Sequence, residues 1–471
     1  MSREGLYGVK LHPNGRLESI LLDEKIPWSG EFEQGPLILA PANTPENIKD
    51  PAVKRKRQLE LETDLWPHLI AKGLGKALGC YERLFNQKIE NTLSDITGMP
   101  IRVYPTAPTE LPFVWLRESF KRGYILIGVA SQKWKSKIAS AHTSVEPEAL
   151  DYWTVSQVVK LTDGEELVEI KNHLCCNPSP PEWQTHQFVK ISDDWMKYRR
   201  FKRRDRSGYW IKYSEVADFF ESVVVCKYRE DYQALWRTTE SKNDGPILSE
   251  LVVTESTTAT ITFVQPDEVC CAPDHQYSIF RTFLVQVPEP TKEEPNPLPV
   301  MVKAAYNNPG KVVFVDAKLE PGTYRLLADV DSPASEFGIT VNLRVFSDLP
   351  ISWNLSFTGE SYRFHKDFLS SLAIQRGVRQ DLVEGGALRR YQLEASKLGL
   401  SVVAYANRGT GFYSLGERYS KFRAKCNKTL EDGNILAMHI PPNARKAVIV
   451  RYQPSQPVTL QITEGVYTEK R

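Results

Sequence analysis

From Gln233 to its end the chain almost stops repeating at helical spacing, and this limits its folds more than any other feature of the sequence. Leu251-Val252-Val253 and Thr258–Val264 alternate with polar residues. Val312–Val315, Tyr324–Val330 and Ile339–Phe346 follow, with turn signals between them. Alternation at period two makes strands with one buried face. Such strands over roughly 110 residues read as a β-sandwich. The stretch PEPTKEEPNPLP, Pro288 to Pro299, holds too many prolines for a central strand, because proline brings no N–H to the ladder. It is expected as an exposed loop. Strands resume after about Leu349, at Arg390–Leu393, Ser401–Ala406, Leu436–Ile440, Ala447–Tyr452 and Val458–Ile462. The two stretches share a texture without a clean repeat. They are read as two all-β sandwich domains, 233–348 and 349–471.

Residues 1–232 mix helix and strand instead. Tyr7, Val9 and Leu11, the turn Pro13-Asn14-Gly15, then Leu17, Ile20 and Leu22 make a hairpin. A loop rich in Pro, Asn and Asp runs from Pro41 to Pro51. From about Leu59 to Phe85, residues Leu65, Leu69, Leu74, Leu78 and Tyr81 share a helical face. Strands are expected around Ile101–Val103, Ile125–Val129, Val155–Val159, Leu167–Ile170, Tyr209–Ile211 and Val223–Cys226. A length of 471 residues suits three such domains. A formal net charge of +2 argues against a chain-wide electrostatic nucleic-acid binder. No apolar run reaches the ~18–20 residues that span a bilayer, and MSREGLYGVK lacks the apolar segment of a secretory signal. The seven cysteines include two adjacent pairs and no CxxC. They are expected as reduced thiols of a cytoplasmic protein.

Several quoted segments, in this order, resemble the calpain protease core. GLYGVKLHPNGRLESILLDEKIP resembles the family's strand pair leading to an acidic pair and a proline. LWPHLIAKGLGKALGCYERL resembles its tryptophan-initiated helix ending in Gly-Ser-Tyr-Glu, here Gly79, Cys80, Tyr81 and Glu82. DITGMP (Asp95 to Pro100) is similar to its acidic-x-Thr-Gly-Gly turn. RGYILIGVAS is similar to the strand that opens the second half of the core, and GYWIKYSEVADFF to the Phe-Trp-Met-Ser-x-x-Asp-Phe segment. EPGTYRLLADVDSPASEFGITVNLRVFSD resembles the end of the family's C2-like β-sandwich, domain III. Two β units in tandem with no EF-hand loop look like its PalB-like branch. The fold the resemblance implies is α+β: a papain-like protease core remnant followed by two C2-like sandwiches.

The resemblance also implies a catalytic apparatus of cysteine, histidine and asparagine. The cysteine's Gln-Gly-x-Leu-Gly-Asp-Cys-Trp-like motif precedes the hairpin in the family and is absent from this sequence. The histidine's Gly-His-Ala-Tyr-x-Val motif falls on Asp151 to Val155, so the histidine position reads Asp151. The asparagine's Arg-Asn-Pro-Trp-Gly motif falls on Lys171 to Cys175. Asn172 is retained, but the Pro-Trp that would cover it has become His173-Leu174. A carboxylate repels a thiolate where an imidazolium would pair with it, so Asp151 argues against proteolysis. His142 lies in a loop pattern and is a poor substitute base. His173 with Cys175 or Cys176 reads as strand-end residues, because a Cys-His pair normally comes from two separate elements. Cys80 reads as a packing residue inside a helix.

Lys197, Arg199, Arg200, Lys202, Arg203, Arg204 and Arg206 form a local basic run. It suits an acidic protein or an anionic lipid surface, or is a solvated loop. Lys54 to Arg57 reads the same way. Asp163 to Glu166 and Asp193-Asp194 match no calcium-ligand spacing, so no cofactor is expected, with Ca²⁺ as the one candidate. The leading expectation is a catalytically inactive calpain-like scaffold whose partner covers surface left by the missing cysteine helix. The alternatives are a calcium-dependent cysteine endopeptidase lacking its nucleophile segment, and a membrane- or phosphoinositide-binding module.

Overall fold

The computed structural model describes residues 5–23, 25, 66–85, 87–135, 151–161, 164–172, 208–241, 245–271, 275–289, 292, 299–307, 310–332, 339–355, 358–419, 425–426, 435–454 and 462–470. The chain forms two compact units. One comprises residues 1–232 with 266–273, the other 233–265 with 274–471.

The first unit opens on a hairpin of β1 (Leu6–Leu11) and β2 (Glu18–Asp23), paired antiparallel from Leu6 opposite Asp23 to Leu11 opposite Glu18. Alternation sends Tyr7, Val9, Leu11, Ile20 and Leu22 to one face, where they meet Leu69, Ile70 and Leu74 of helix α1 (Trp66–Leu78). On the other face Leu6 and Leu21 are exposed. Helix α1 stops at Gly79, whose φ of 98° suits a residue without Cβ. The Arg83 guanidinium, from the one-turn helix α2 (Glu82–Phe85), donates to the freed carbonyl of Leu78. Helix α3 (Ile89–Thr97) ends on Gly98 at φ 70°, and a Cβ there would sit 2.6 Å from His12 Nε2. The His12 N–H also bonds Asp95 O at 2.6 Å. The Asp-Ile-Thr-Gly turn is therefore a close approach of helix to hairpin that only glycine fits.

The rest of this unit is a six-stranded sheet in the order β3 (Ile101–Pro105), β8 (Phe220–Cys226), β4 (Ile125–Ala130), β5 (Tyr152–Lys160), β6 (Glu166–Lys171) and β7 (Gly208–Lys212). All its pairings are antiparallel. Strand β8 is buried on both faces. Val223 and Val225 join a core with Phe113 and Leu116 of helix α4 (Phe113–Lys121) and Phe219 of the one-turn helix α5 (Val216–Phe219). Val224 and Cys226 face Ile89 and Leu93 of α3 on the other side.

The second unit begins with a sandwich of two antiparallel sheets. One is ordered β14 (Val312–Leu319), β11 (Thr257–Val264), β16 (Ile339–Ser347), β9 (Gln233–Ser241). The other is ordered β13 (Val300–Asn307), β12 (Ile279–Val287), β15 (Gly322–Asp331), β10 (Ile247–Val253), β17 (Ile351–Leu355). Ile261, Phe263, Phe280, Leu284, Leu326 and Leu343 fill the space between them. Strand β17 pairs with β10, so the first sandwich extends to Leu355.

Helix α6 (Thr358–Arg376) follows, in a region where the sequence suggests only strands. Its Phe364, Phe368, Leu369, Leu372 and Ala373 recur at helical spacing and pack between two sheets. On one side lie Leu248, Phe283, Val285 and Leu327 of the first sandwich. On the other lie Tyr391, Val402, Ala404 and Ile449. These belong to the sheet β18 (Val378–Asp381), β19 (Leu388–Ala395), β20 (Leu400–Asn407), β24 (Arg445–Arg451), β22 (Lys425–Cys426). A last sheet, β23 (Ile435–Ile440), β21 (Phe412–Tyr419), β25 (Ile462–Lys470), closes over Val403, Tyr405, Leu415 and Met438. The mixed helix-and-strand region followed by β-sandwich sheets is the architecture the sequence leads one to expect.

Candidate active site

Strands β4, β5 and β6 bring the two motif positions together. β5 pairs with β6 antiparallel, Thr154 opposite Lys171. Asp151, just before β5, and Asn172, just after β6, therefore lie at the same end of one hairpin. Trp153 beneath them is 1% exposed. It meets Trp134 at 6.4 Å between ring centroids, and Trp134 meets Phe219 at 4.2 Å. These large buried rings give that end of the hairpin a rigid base.

Asn172 is 2% exposed, although Pro-Trp does not follow it. Asp151 is held at both ends. Its carbonyl accepts the Ala130 N–H at 2.8 Å. Its carboxylate lies 2.5 Å from the Lys135 ammonium, with about a quarter of each side chain exposed. Lys135 lies in the helical stretch 132–135, which carries no sequence motif. At the position that the resemblance assigns to a base stands an acidic acceptor already paired with a cation. Neighbouring Tyr152 has its hydroxyl pushed up by burial, and the charges of Asp151, Glu90 and Glu221 act in the same direction.

Among the described thiols, Cys226 lies in β8 and is fully buried. Burial pushes it up to about 11, against a contact to Thr97 Oγ1 at 3.6 Å, so it is inert at neutral pH. Cys80 is exposed and lies two residues past α1, not inside a helix; the packing role read from its helical pattern does not hold. His142, His173, Cys175 and Cys176 lie outside the described residues. So do Lys197, Arg199, Arg200, Lys202, Arg203, Arg204 and Arg206, the run 54–57, and Asp193-Asp194. Among the described residues no group of three His, Cys, Asp or Glu side chains is placed to hold a metal ion.

The family model described as calpain family cysteine protease matches residues 1–227. Residues 1–227 belong to the calpain family. This calpain-type region is 23% identical over 239 residues to the calpain-type cysteine protease ADL1 of rice. That match covers 48% of this chain and 10% of the relative. The calpain-type cysteine proteases DEK1 of maize and of Arabidopsis thaliana match at the same identity over 237 and 244 residues. The chain thus spans about a tenth of the length of these curated relatives. Within the calpain-type region the matched residues include both the hairpin that opens the chain and the strands that carry Asp151 and Asn172.

Proposed function

We propose that this chain is a catalytically inactive calpain-type protein that works by binding other proteins in the cytoplasm. The observation that carries the reading is the Asp151–Lys135 ion pair at the base position. A general base must accept a proton from the nucleophile, and an imidazole does so while offering its second nitrogen to an orienting partner. A carboxylate held by an ammonium offers neither function. The outer face of the hairpin supports a binding role. Leu6 is 56% and Leu21 67% exposed on neighbouring strands, where a partner protein would find apolar surface. The basic run between Lys197 and Arg206 suits an acidic partner.

The test is exposure of the purified full chain, with and without calcium, to a thiol-reactive peptide electrophile and to an unfolded protein substrate. The expected result is no stoichiometric labelling of one cysteine and no cleavage in either condition. Calcium-dependent cleavage accompanied by labelling of a single cysteine would overturn the reading. It would favour the second one, a cysteine endopeptidase, which the names of the plant relatives support.

A further inference from the structure

Segment 266–273 is part of the first unit although its sequence lies between β11 and β12. It is tied down at several points. The Asp267 N–H donates to Asn14 Oδ1 at 2.9 Å, and Gln87 Nε2 donates to Asp267 Oδ2 at 3.1 Å. Glu268 pairs with Lys88 at 3.1 Å. The segment contains a 3₁₀ turn, Glu268–Cys270, and Cys271 follows directly, so two successive thiols stand there. Cys270 Sγ lies 3.8 Å from the Leu78 carbonyl oxygen. Cys80 is two residues further along, across the Gly79 turn, and is exposed. Three thiols therefore gather at the end of α1, at positions far apart in sequence.

We propose that Cys80 and Cys270 are a thiol pair that a small-molecule disulfide, such as oxidised glutathione, converts into a reversible cross-link between segment 266–273 and the end of α1. Two residues of chain reach at most about 7 Å, and a disulfide needs Cα atoms about 4.4–6.8 Å apart. The Cys270 sulfur lies 3.8 Å from the Leu78 carbonyl and Cys80 follows two residues later, so the two thiols share one turn of chain, and forming the bond requires the Gly79 turn and segment 266–273 to close to that Cα separation. Cys80, the exposed member, reacts first. Its thiolate attacks one glutathione sulfur, the glutathione S–S bond breaks, and one glutathione thiolate leaves and takes up a proton. Cys270, as thiolate, then attacks the Cys80 sulfur and expels the second glutathione. Two protein thiols lose two electrons and two protons, and the glutathione disulfide becomes two thiols. Cys271 is the poorer choice for the second step. Burial and the nearby Asp267 charge push its thiol up, against the pull of Arg83.

The test uses the full chain, incubated with oxidised glutathione, alkylated, digested without reductant and mapped by mass spectrometry. The expected product is a peptide pair joining Cys80 to Cys270 that disappears on adding dithiothreitol. Oxidation should also raise the melting temperature by several degrees, because the cross-link closes a long loop. Cys80→Ser and Cys270→Ser should each remove both effects. Cys271→Ser and Cys426→Ser should remove neither. Glutathione remaining on Cys80 as a mixed disulfide, or Cys80 joined to any other cysteine, would overturn the proposal.

Discussion

Asp151 and Lys135 meet at 2.5 Å with about a quarter of each side chain in contact with water. Ion pairs this open contribute little, because water screens the attraction and two flexible side chains must be ordered. Lys135→Met should therefore change unfolding free energy by less than about 1 kcal/mol in urea titration. Asp151→His should produce no peptidase activity. A change of more than about 2 kcal/mol in the first case, or cleavage in the second, would mean that this corner is built differently. Gly98 is the contrasting residue. Its φ of 70° and the 2.6 Å gap to His12 leave a methyl group no room. Gly98→Ala should cost at least about 2 kcal/mol, since left-handed backbone costs roughly 1–2 and the displaced His12 ring adds to it. Asn172 and Gly98 are legible in the sequence because each sits in a short motif. Lys135 is not, because only the folding of β4 and β5 brings 135 beside 151.

At the scale of elements, the hairpin, the sheet strands and most β-strands follow from period-two alternation that needs no long-range information. Helix α6 follows from the same kind of rule and still escapes notice. Phe364, Phe368, Leu369, Leu372 and Ala373 have clear helical spacing, but they lie between stretches dense in strand signals. What the sequence hides is the reason for the helix, which is two separate sheets needing a common cover. Leu369 is completely buried there. Leu369→Ala should cost about 2–5 kcal/mol, the range for a leucine deleted from a core that cannot collapse, as measured by chemical denaturation of the full chain. The strand β17 carries the same lesson. Its sequence is compatible with either β unit, and only its pairing with β10 assigns it to the first.

At the scale of the molecule, the second unit is held by charges as well as by apolar contact. Arg451 grips Asp329 with both arms of its guanidinium, at 2.7–3.0 Å. Arg281, fully buried, donates to the carbonyls of Leu398 and Tyr452, each at 3.0 Å. His365 of α6 brings Nε2 to 3.5 Å from Asp329 and is 3% exposed. Burial works to raise the Asp329 carboxyl, but the charges around it, Arg451 foremost, hold it below the usual carboxylate range. Burial pushes His365 down, against the attraction of Asp329, so the neutral imidazole fits the folded state. The unfolded chain binds a proton at His365 near pH 6.5, and the folded chain does not. The stability that His365 contributes is thus complete above pH 6.5 and declines as pH falls below it, by up to about 1.4 kcal/mol per unit. Asp329 acts in the same direction below about pH 4. Urea melts between pH 7 and 5 should show this slope, and His365→Gln should flatten it by up to one proton. Asp329→Ala, which strands two guanidinium groups, should cost about 3–5 kcal/mol. None of this network is visible in sequence, where its members stand at 281, 329, 365 and 451 with unremarkable neighbours.

The shared core around α6 has a consequence for how such a chain can be inherited. Modular proteins are assembled by moving pieces that carry their own complete surfaces. Here the outer face of the first sandwich, at Leu248, Phe283 and Leu327, is finished by residues that follow Leu355. A gene fragment ending there would encode a sandwich with an oily wall, and a fragment beginning there would lack the support on which its helix rests. The two sandwiches should therefore travel through evolution as a pair, gained or lost together.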